Sequence, residues 1–145
     1  MPVFASSRSL AYDMESLYRI VMDVECYSKI LPYIRSISVE ERGDHHMIAS
    51  VCVGIKPLAF SYRCHIQLEP PHAIYVHGLP GSPFSRLEAS WKFEPAGKDH
   101  TLVKYALDYA FHNPLMEAIA GRIFKKQFED SLRVFEAHLS TAARR

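Results

Sequence analysis

Beyond residue 35 the chain alternates apolar and polar residues with a period of two. In 58–68, "LAFSYRCHIQL", Phe60, Tyr62, Cys64, Ile66 and Leu68 share one face, and Ser61, Arg63, His65 and Gln67 the other. In 84–94, Leu87, Ala89, Trp91 and Phe93 oppose Arg86, Glu88, Ser90, Lys92 and Glu94. In 101–111, Val103, Tyr105, Leu107, Tyr109 and Phe111 alternate with smaller or charged residues. Such alternation belongs to antiparallel strands with one wet face. Weaker strands fit 35–43, 46–54 and 72–78, and residues 3–10 read as a short first strand. Turn residues separate them: Gly43-Asp44, Lys56-Pro57, Pro70-Pro71, "PGSP" at 80–83 and "AGKD" at 96–99.

Two segments carry a helical period instead. Asp13 is placed to cap a helix in which Met14, Leu17, Tyr18, Val21 and Val24 form one apolar face, so 14–24 is predicted helical. Pro32 bars a long continuation, and a second, very short helix is expected at about 26–31. At the other end, Asn113 is a good cap and Pro114 occupies the first helical position. Met116, Ala120, Phe124, Phe128, Leu132 and Phe135 then recur at steps of four and three, with Leu115, Ile119 and Ile123 widening the stripe. A helix from 114 to about 139 follows, on the order of 40 Å long. The only cover available for its stripe is the inner face of the sheet. The predicted architecture is α+β: one domain over residues 1–145, a curved seven-stranded antiparallel sheet wrapped around a long C-terminal helix.

Length and charge narrow the function. A chain of 145 residues can bury roughly 70% of its unfolded surface and needs no disulfide or metal to fold. A net charge of +1 argues against a nucleic-acid binder, and no DNA partner is expected. Cys26, Cys52 and Cys64 form no CxxC pair, and the first sixteen residues lack a basic-then-apolar leader. The expected location is cytoplasmic, with room for peripheral contact at the inner membrane. No phosphate loop, nucleophile elbow or HExxH motif is present. Adjacent His45 and His46 would point to opposite faces, and His65 and His77 fall on the polar faces of their strands, so no metal site is expected. His112, just before a helix start, reads as a structural corner.

The inner face carries the informative chemistry. Alternation places Phe60, Tyr62, Trp91, Phe93, Tyr105, Tyr109 and Phe111 on the side of the long helix. Rings there can be plain core, but buried phenols need hydrogen-bond partners. An apolar cavity with a few polar groups is the ordinary form of a small-molecule site.

Several stretches resemble one family. The segment "YDMESLYRIVMDVECYSKILPYIRSISV" at 12–39 has Asp23-Val24 closing a helix, then Tyr27, then Ile30-Leu31-Pro32. It is similar to the N-terminal signature of the coenzyme Q-binding, RatA-like branch of the START-domain superfamily, also labelled polyketide cyclase/dehydrase-like. "VGIKPLAFSYRCHI" at 53–66 resembles the family's Val-Gly-Phe step, with Ile55 in place of Phe. "GSPFSRLEASWKFEP" at 81–95 resembles its Gly-Pro-Phe-x-x-Leu-x-x-x-Trp-x-Phe segment, with Ser82 inserted, and 107–139 resembles its last strand and helix.

The resemblance implies a helix-grip fold with a hydrophobic tunnel between sheet and C-terminal helix. It implies binding of ubiquinone or another polyprenyl quinone by a carrier or chaperone that supports respiratory electron transport. No enzymatic activity and no catalytic cofactor are then expected. The cavity-lining candidates are Val24, Tyr27, Leu31, Pro32, Phe60, Tyr62, Trp91, Phe93, Tyr105, Tyr109, Phe111, Met116, Ile119, Ala120, Ile123, Phe124 and Phe128. The bend at 25–34 is expected to close one end of the tunnel, with Asp23 anchoring it, and to meet a ligand tail or a membrane. Two alternatives stand beside this. One is a RatA-like toxin acting on ribosomal subunit association, with Arg122, Lys125, Lys126, Arg133, Arg144 and Arg145 as its basic patch. The other is a polyketide cyclase or aromatase using Tyr62, Tyr105 or Tyr109 as acid or base.

Overall fold

A computed structural model of the chain describes residues 3–23, 34–55, 58–81 and 83–118, together with Arg133 and Ala137. Strand β1 is Val3–Leu10, helix α1 is Met14–Met22, and β2 is Ile34–Arg42. The strands β3 (His46–Ile55), β4 (Leu58–Glu69), β5 (Ala73–Gly78), β6 (Phe84–Pro95) and β7 (Thr101–Phe111) follow. A helix, α2, opens at Pro114 and is described through Ala118; Arg133 and Ala137 are also helical. The short helix expected at 26–31 and most of the C-terminal helix lie outside the described residues.

All pairings in the sheet are antiparallel, in the order β1-β7-β6-β5-β4-β3-β2. From β2 to β7 the chain is a simple meander, and β1 joins the free side of β7. The alternation predicted this because each run of period two is separated from the next by a tight turn.

Asp13 caps α1 as expected: its Oδ2 accepts from the Ser16 backbone N–H at 3.1 Å, and its Oδ1 from the Ser16 hydroxyl at 2.7 Å. Those two bonds hold the Asp13 carboxyl below its ordinary pKa. The helix ends at Met22, where the Asp23 backbone N–H donates to the Ile20 carbonyl. Leu17, Tyr18 and Val21 are its buried face. They close over one half of the sheet, where Tyr18 meets Phe93 edge-on at 5.9 Å. Thr101, buried at the start of β7, donates its hydroxyl to the Tyr12 carbonyl at 2.8 Å and ties the α1 lead-in to the sheet. Asn113 caps α2 through its Oδ1, which accepts from the Leu115 and Met116 N–H groups at 2.8 and 3.3 Å.

The outer face is polar and paired. Arg63 meets Glu40 at 2.7 Å, Arg86 meets Asp108 at 2.8 Å, and Lys104 meets Glu94 at 3.1 Å. The Arg63–Glu40 and Lys104–Glu94 pairs are exposed, at about 0–1 kcal/mol each, and the Arg86–Asp108 pair is part-buried. His65 and His77 do fall on this face, and they are not isolated. They sit directly opposite each other, with His46 stacked on His65 at 5.8 Å and Glu88 3.4 Å from His77.

Candidate functional site

The inner-face rings divide into two packed groups. One lies under α1 and contains Trp91 and Phe93, with Val51, Val53, Ile66, Leu68, Ile74 and Val103. Phe93 is 2% exposed and Trp91 7%. The second lies where β6 begins and β7 ends. It is Phe84, Tyr109 and Phe111, with Phe60, Tyr62, Leu87, Leu107 and Met116 against them. Its rings interlock edge-to-face: Phe60 on Phe84 at 5.6 Å, Tyr62 on Phe84 at 5.3 Å, and Tyr109 on Phe111 at 5.7 Å. Pairs of this kind contribute about 0.5–1.5 kcal/mol each beyond their burial.

Phe84 is the residue the alternation misses. By parity it belongs with Arg86 and Glu88 on the wet face. The β6–β7 register slips between Phe84 and Arg86, so Phe84 pairs with Phe111 while Arg86 pairs with Ala110. A bulge of this kind turns the residue beyond it to the opposite face. Phe84 is therefore buried.

Where the two groups meet runs a row of partly buried residues. Val76 on β5 pairs with Ala89 on β6, which pairs with Leu107 on β7, and all three are half-buried. Tyr105 and Leu87 border this row and are half-buried as well. Small residues keep the row low. Ala89 offers a single methyl, and at Gly78 an added Cβ would stand 2.9 Å from the Leu87 Cβ, so that position accepts no side chain without a shift. On β4, Phe60 and Tyr62 are half-buried and pack against both groups.

The sequence-derived candidates thus fall into three places. Phe60 and Tyr62 pack against both groups, whereas Tyr105, two residues from Leu107 on the same face of β7, borders the partly buried row. Trp91 sits beside it, against Tyr105 at a ring separation of 4.2 Å, whereas Phe93 belongs to the closed core under α1. Tyr109, Phe111 and Met116 make up the closed aromatic end, with Phe84 added. The remaining candidates, Val24, Tyr27, Leu31, Pro32, Ile119, Ala120, Ile123, Phe124 and Phe128, lie outside the described residues. Leu115, expected to widen the inward stripe of α2, is instead 69% exposed. It sits in the first turn, where the helix has just left the sheet, and Met116 takes the inward position.

Two phenols are buried in the interior, those of Tyr18 and Tyr109. Burial, reinforced by the Glu117 carboxylate, pushes the Tyr109 hydroxyl up to about 12. Burial also raises Tyr18, whose hydroxyl has no hydrogen-bond partner among the described residues. Both stay neutral and able to donate at any physiological pH. Cys64, buried on the inner face of β4, is pushed up to about 11 and is an unreactive thiol; Cys52 faces the other way. Among the described residues no three His, Cys, Asp or Glu side chains are arranged to hold a metal ion.

A seven-stranded antiparallel sheet whose apolar inner face packs against the start of a C-terminal helix defines a START-like, helix-grip protein. Within that class the chain belongs to the family described as polyketide cyclase / dehydrase and lipid transport, whose profile matches residues 10–136.

Curated relatives point in two directions. The chain is 29% identical over 135 residues to the persistence and stress-resistance toxin PasT of Escherichia coli, covering 93% of this chain and 85% of that protein. It is 28% identical, with the same coverage, to the ribosome association toxin RatA of Escherichia coli. It is 27% identical over 124 residues to a mitochondrial coenzyme Q-binding protein of Drosophila melanogaster, covering 83% of this chain and 51% of that protein.

Solved structures agree on the fold. The Zhui aromatase/cyclase of a Streptomyces species superposes with a TM-score of 0.85 at 12% identity, covering 96% of this chain and 93% of that one. An 18 kDa protein of Caulobacter crescentus superposes with a TM-score of 0.80 at 25% identity over the whole of both chains.

Proposed function

We propose that the protein binds an isoprenoid quinone on the inner face of its sheet and acts as a carrier, without chemistry of its own. The observation that carries this reading is the partly buried apolar row Val76–Ala89–Leu107 where the two closed groups of side chains meet. An apolar surface left open inside a fold gains from a guest that covers it. Each CH2 of a prenyl tail buried there contributes about 0.8 kcal/mol. The Tyr105 side chain at its border brings a hydroxyl of the kind that a quinone carbonyl accepts from. The likeness to a coenzyme Q-binding protein supports the same ligand class.

The test is extraction of the purified protein and mass spectrometry of the lipid fraction, with titration of added ubiquinone against Trp91 fluorescence. Trp91 is the chain's single tryptophan and lies against Tyr105 at the edge of the strip. Co-purified quinone and saturable quenching support the reading. An empty extract together with unquenched Trp91 rejects it.

A second reading is favoured by the coverage of the relatives. The toxins PasT and RatA match nearly end to end, whereas the Drosophila protein is matched over about half its length. In this reading the same domain acts on ribosomal subunits. Sucrose-gradient profiles with added protein test it, and unchanged subunit association removes it.

A further inference from the structure

The wet face of the sheet carries a group of histidines that the inner face does not involve. In the register of the sheet, Ile48 on β3, His65 on β4, His77 on β5, Glu88 on β6 and Asp108 on β7 form one row. Glu41 on β2 continues it beyond Ile48. His65 and His77 belong to different strands, and the β4–β5 pairing sets them directly opposite each other.

Their rings are oriented from both sides. The His46 ring lies over Gly43, where an added Cβ would stand 2.5 Å from its Cε1. It faces His65 with centroids 5.8 Å apart and planes inclined by 13°. Glu41 Oε1 is 3.6 Å from His46 Nε2. On the other flank, Glu88 Oε1 is 3.4 Å from His77 Nδ1. Because Glu88 stands on β6, Nε2 of His77, on the opposite side of the ring, is turned toward β4 and His65. His65 is half-buried between its two neighbours, and among the described residues its ring nitrogens have no hydrogen-bond or ion-pair partner.

The charges around the row are mostly matched. Arg63, two residues from His65, pairs with Glu40, and Arg86, two residues from Glu88, pairs with Asp108. Asp44 and His45 are exposed in the turn before His46. Lys92, four residues beyond Glu88, is about 13 Å away along β6. Among the described residues the ion-pair partners of Glu41 and Glu88 are histidines. Counting histidine as neutral, the patch has an excess of negative charge that favours a cation.

We propose that His65 and His77 chelate a divalent late transition-metal ion, of which zinc(II) is the type, across β4 and β5. Directly opposite residues of an antiparallel pair have Cβ atoms about 4.5–5.5 Å apart. Two imidazole nitrogens bound to zinc at about 2.0–2.1 Å stand about 3.4 Å apart in a tetrahedral site, a spacing that opposite histidines reach by leaning together. Imidazole suits zinc, copper and nickel alike. Glu88 is the carboxylate that a metal-bound histidine takes on its other nitrogen, and it leaves Nε2 of His77 as the ligand atom. Among the described residues no third His, Cys, Asp or Glu side chain joins the pair, so water fills the remaining positions. The sheet holds both ligands in place before the ion arrives. The site lies on the face away from the quinone row and does not depend on it.

The test is titration of the full chain, free of any affinity tag, with zinc chloride. It is read in the proton–nitrogen spectrum of the histidine side chains. At one equivalent the ring nitrogens of His65 and His77 are expected to shift, while those of His100 and His112 stay still. Calorimetry gives the affinity. His65→Asn and His77→Asn are each expected to weaken binding by about tenfold or more, and Glu88→Gln by about tenfold. His100→Asn, in the turn between β6 and β7, is expected to bind like wild type. Near-ultraviolet circular dichroism checks the fold of each variant, and the wild-type spectrum decides the matter without one. Unmoved His65 and His77 signals, shifts spread evenly over the exposed histidines, or an affinity indifferent to both substitutions overturns the site.

Discussion

Phe84 stacks on Phe111 across the β6–β7 ladder, with ring centroids 4.5 Å apart and planes inclined by 28°. The pair exists because a register slip after Phe84 turns it inward. It anchors the aromatic end of the inner face, against which Tyr62, Phe60, Tyr109 and Met116 pack.

Removing that anchor should be costly. Phe84→Ala deletes a buried ring from a group with few other members, and about 3–5 kcal/mol of unfolding free energy is the expected loss. Urea unfolding followed by Trp91 fluorescence measures it. A loss below about 1 kcal/mol would mean that the site collapses freely and that Phe84 is not the anchor.

The strip can be filled without disturbing the closed groups on either side. Ala89→Trp places a ring over the row Val76–Ala89–Leu107. A stability change within about 1–3 kcal/mol is expected, with ubiquinone quenching of Trp91 weakened by about tenfold or more, equivalent to about 1.4 kcal/mol. An unchanged affinity would place the ligand elsewhere. Because the variant adds a second tryptophan, displacement of a bound lipid, read by mass spectrometry, is the cleaner signal.

Tyr109 couples folding to alkaline pH. Its ordinary value is 10.0, and burial raises it to about 12 in the fold. A raised value means that the fold favours the protonated phenol. The associated stability is fully present below pH 10 and is lost as pH climbs from 10 through 12, about 3 kcal/mol in all at 1.36 kcal/mol per unit. Spectrophotometric titration should show this phenol ionising last. Tyr109→Phe should flatten the fall in stability across that window.

The two caps should behave alike in size but not in pH response. Asp13→Ala and Asn113→Ala each remove a bond to the first turn of a helix and should cost about 1 kcal/mol. Asp13's carboxyl is held below its ordinary 3.8 by Ser16, so its share is present above that value and fades as pH falls through the lower one. Asn113 does not titrate and its share stays constant. Thermal melts of both variants at neutral and acid pH separate the cases.

Much of the architecture was legible before any coordinates. The runs of period two beyond residue 35, the short first strand at 3–10, the capping residues Asp13 and Asn113, and the breaks between runs located every described strand to within about two residues. Those signals are local: alternation reports which face is wet, and a cap reports which N–H groups need an acceptor. The inward set of Tyr62, Trp91, Phe93, Tyr105, Tyr109 and Phe111 was readable for the same reason.

Other properties required the assembled sheet. Phe84 was hidden because a bulge is a property of two paired strands, and one strand's alternation continues past it unbroken. Leu115 followed the helical period yet stands outside, because the sheet ends before the first turn of α2 is covered. The division of the inner face into two closed groups and a partly buried row depends on which residues of β5, β6 and β7 are brought opposite one another.

By itself the chain determined its elements, their order and the side of each strand that meets the interior, since those follow from spacing between near neighbours. Only the tertiary structure decided how completely that interior is filled and that Phe84 turns into it. Both depend on contacts between residues far apart in sequence, and no local pattern encodes them.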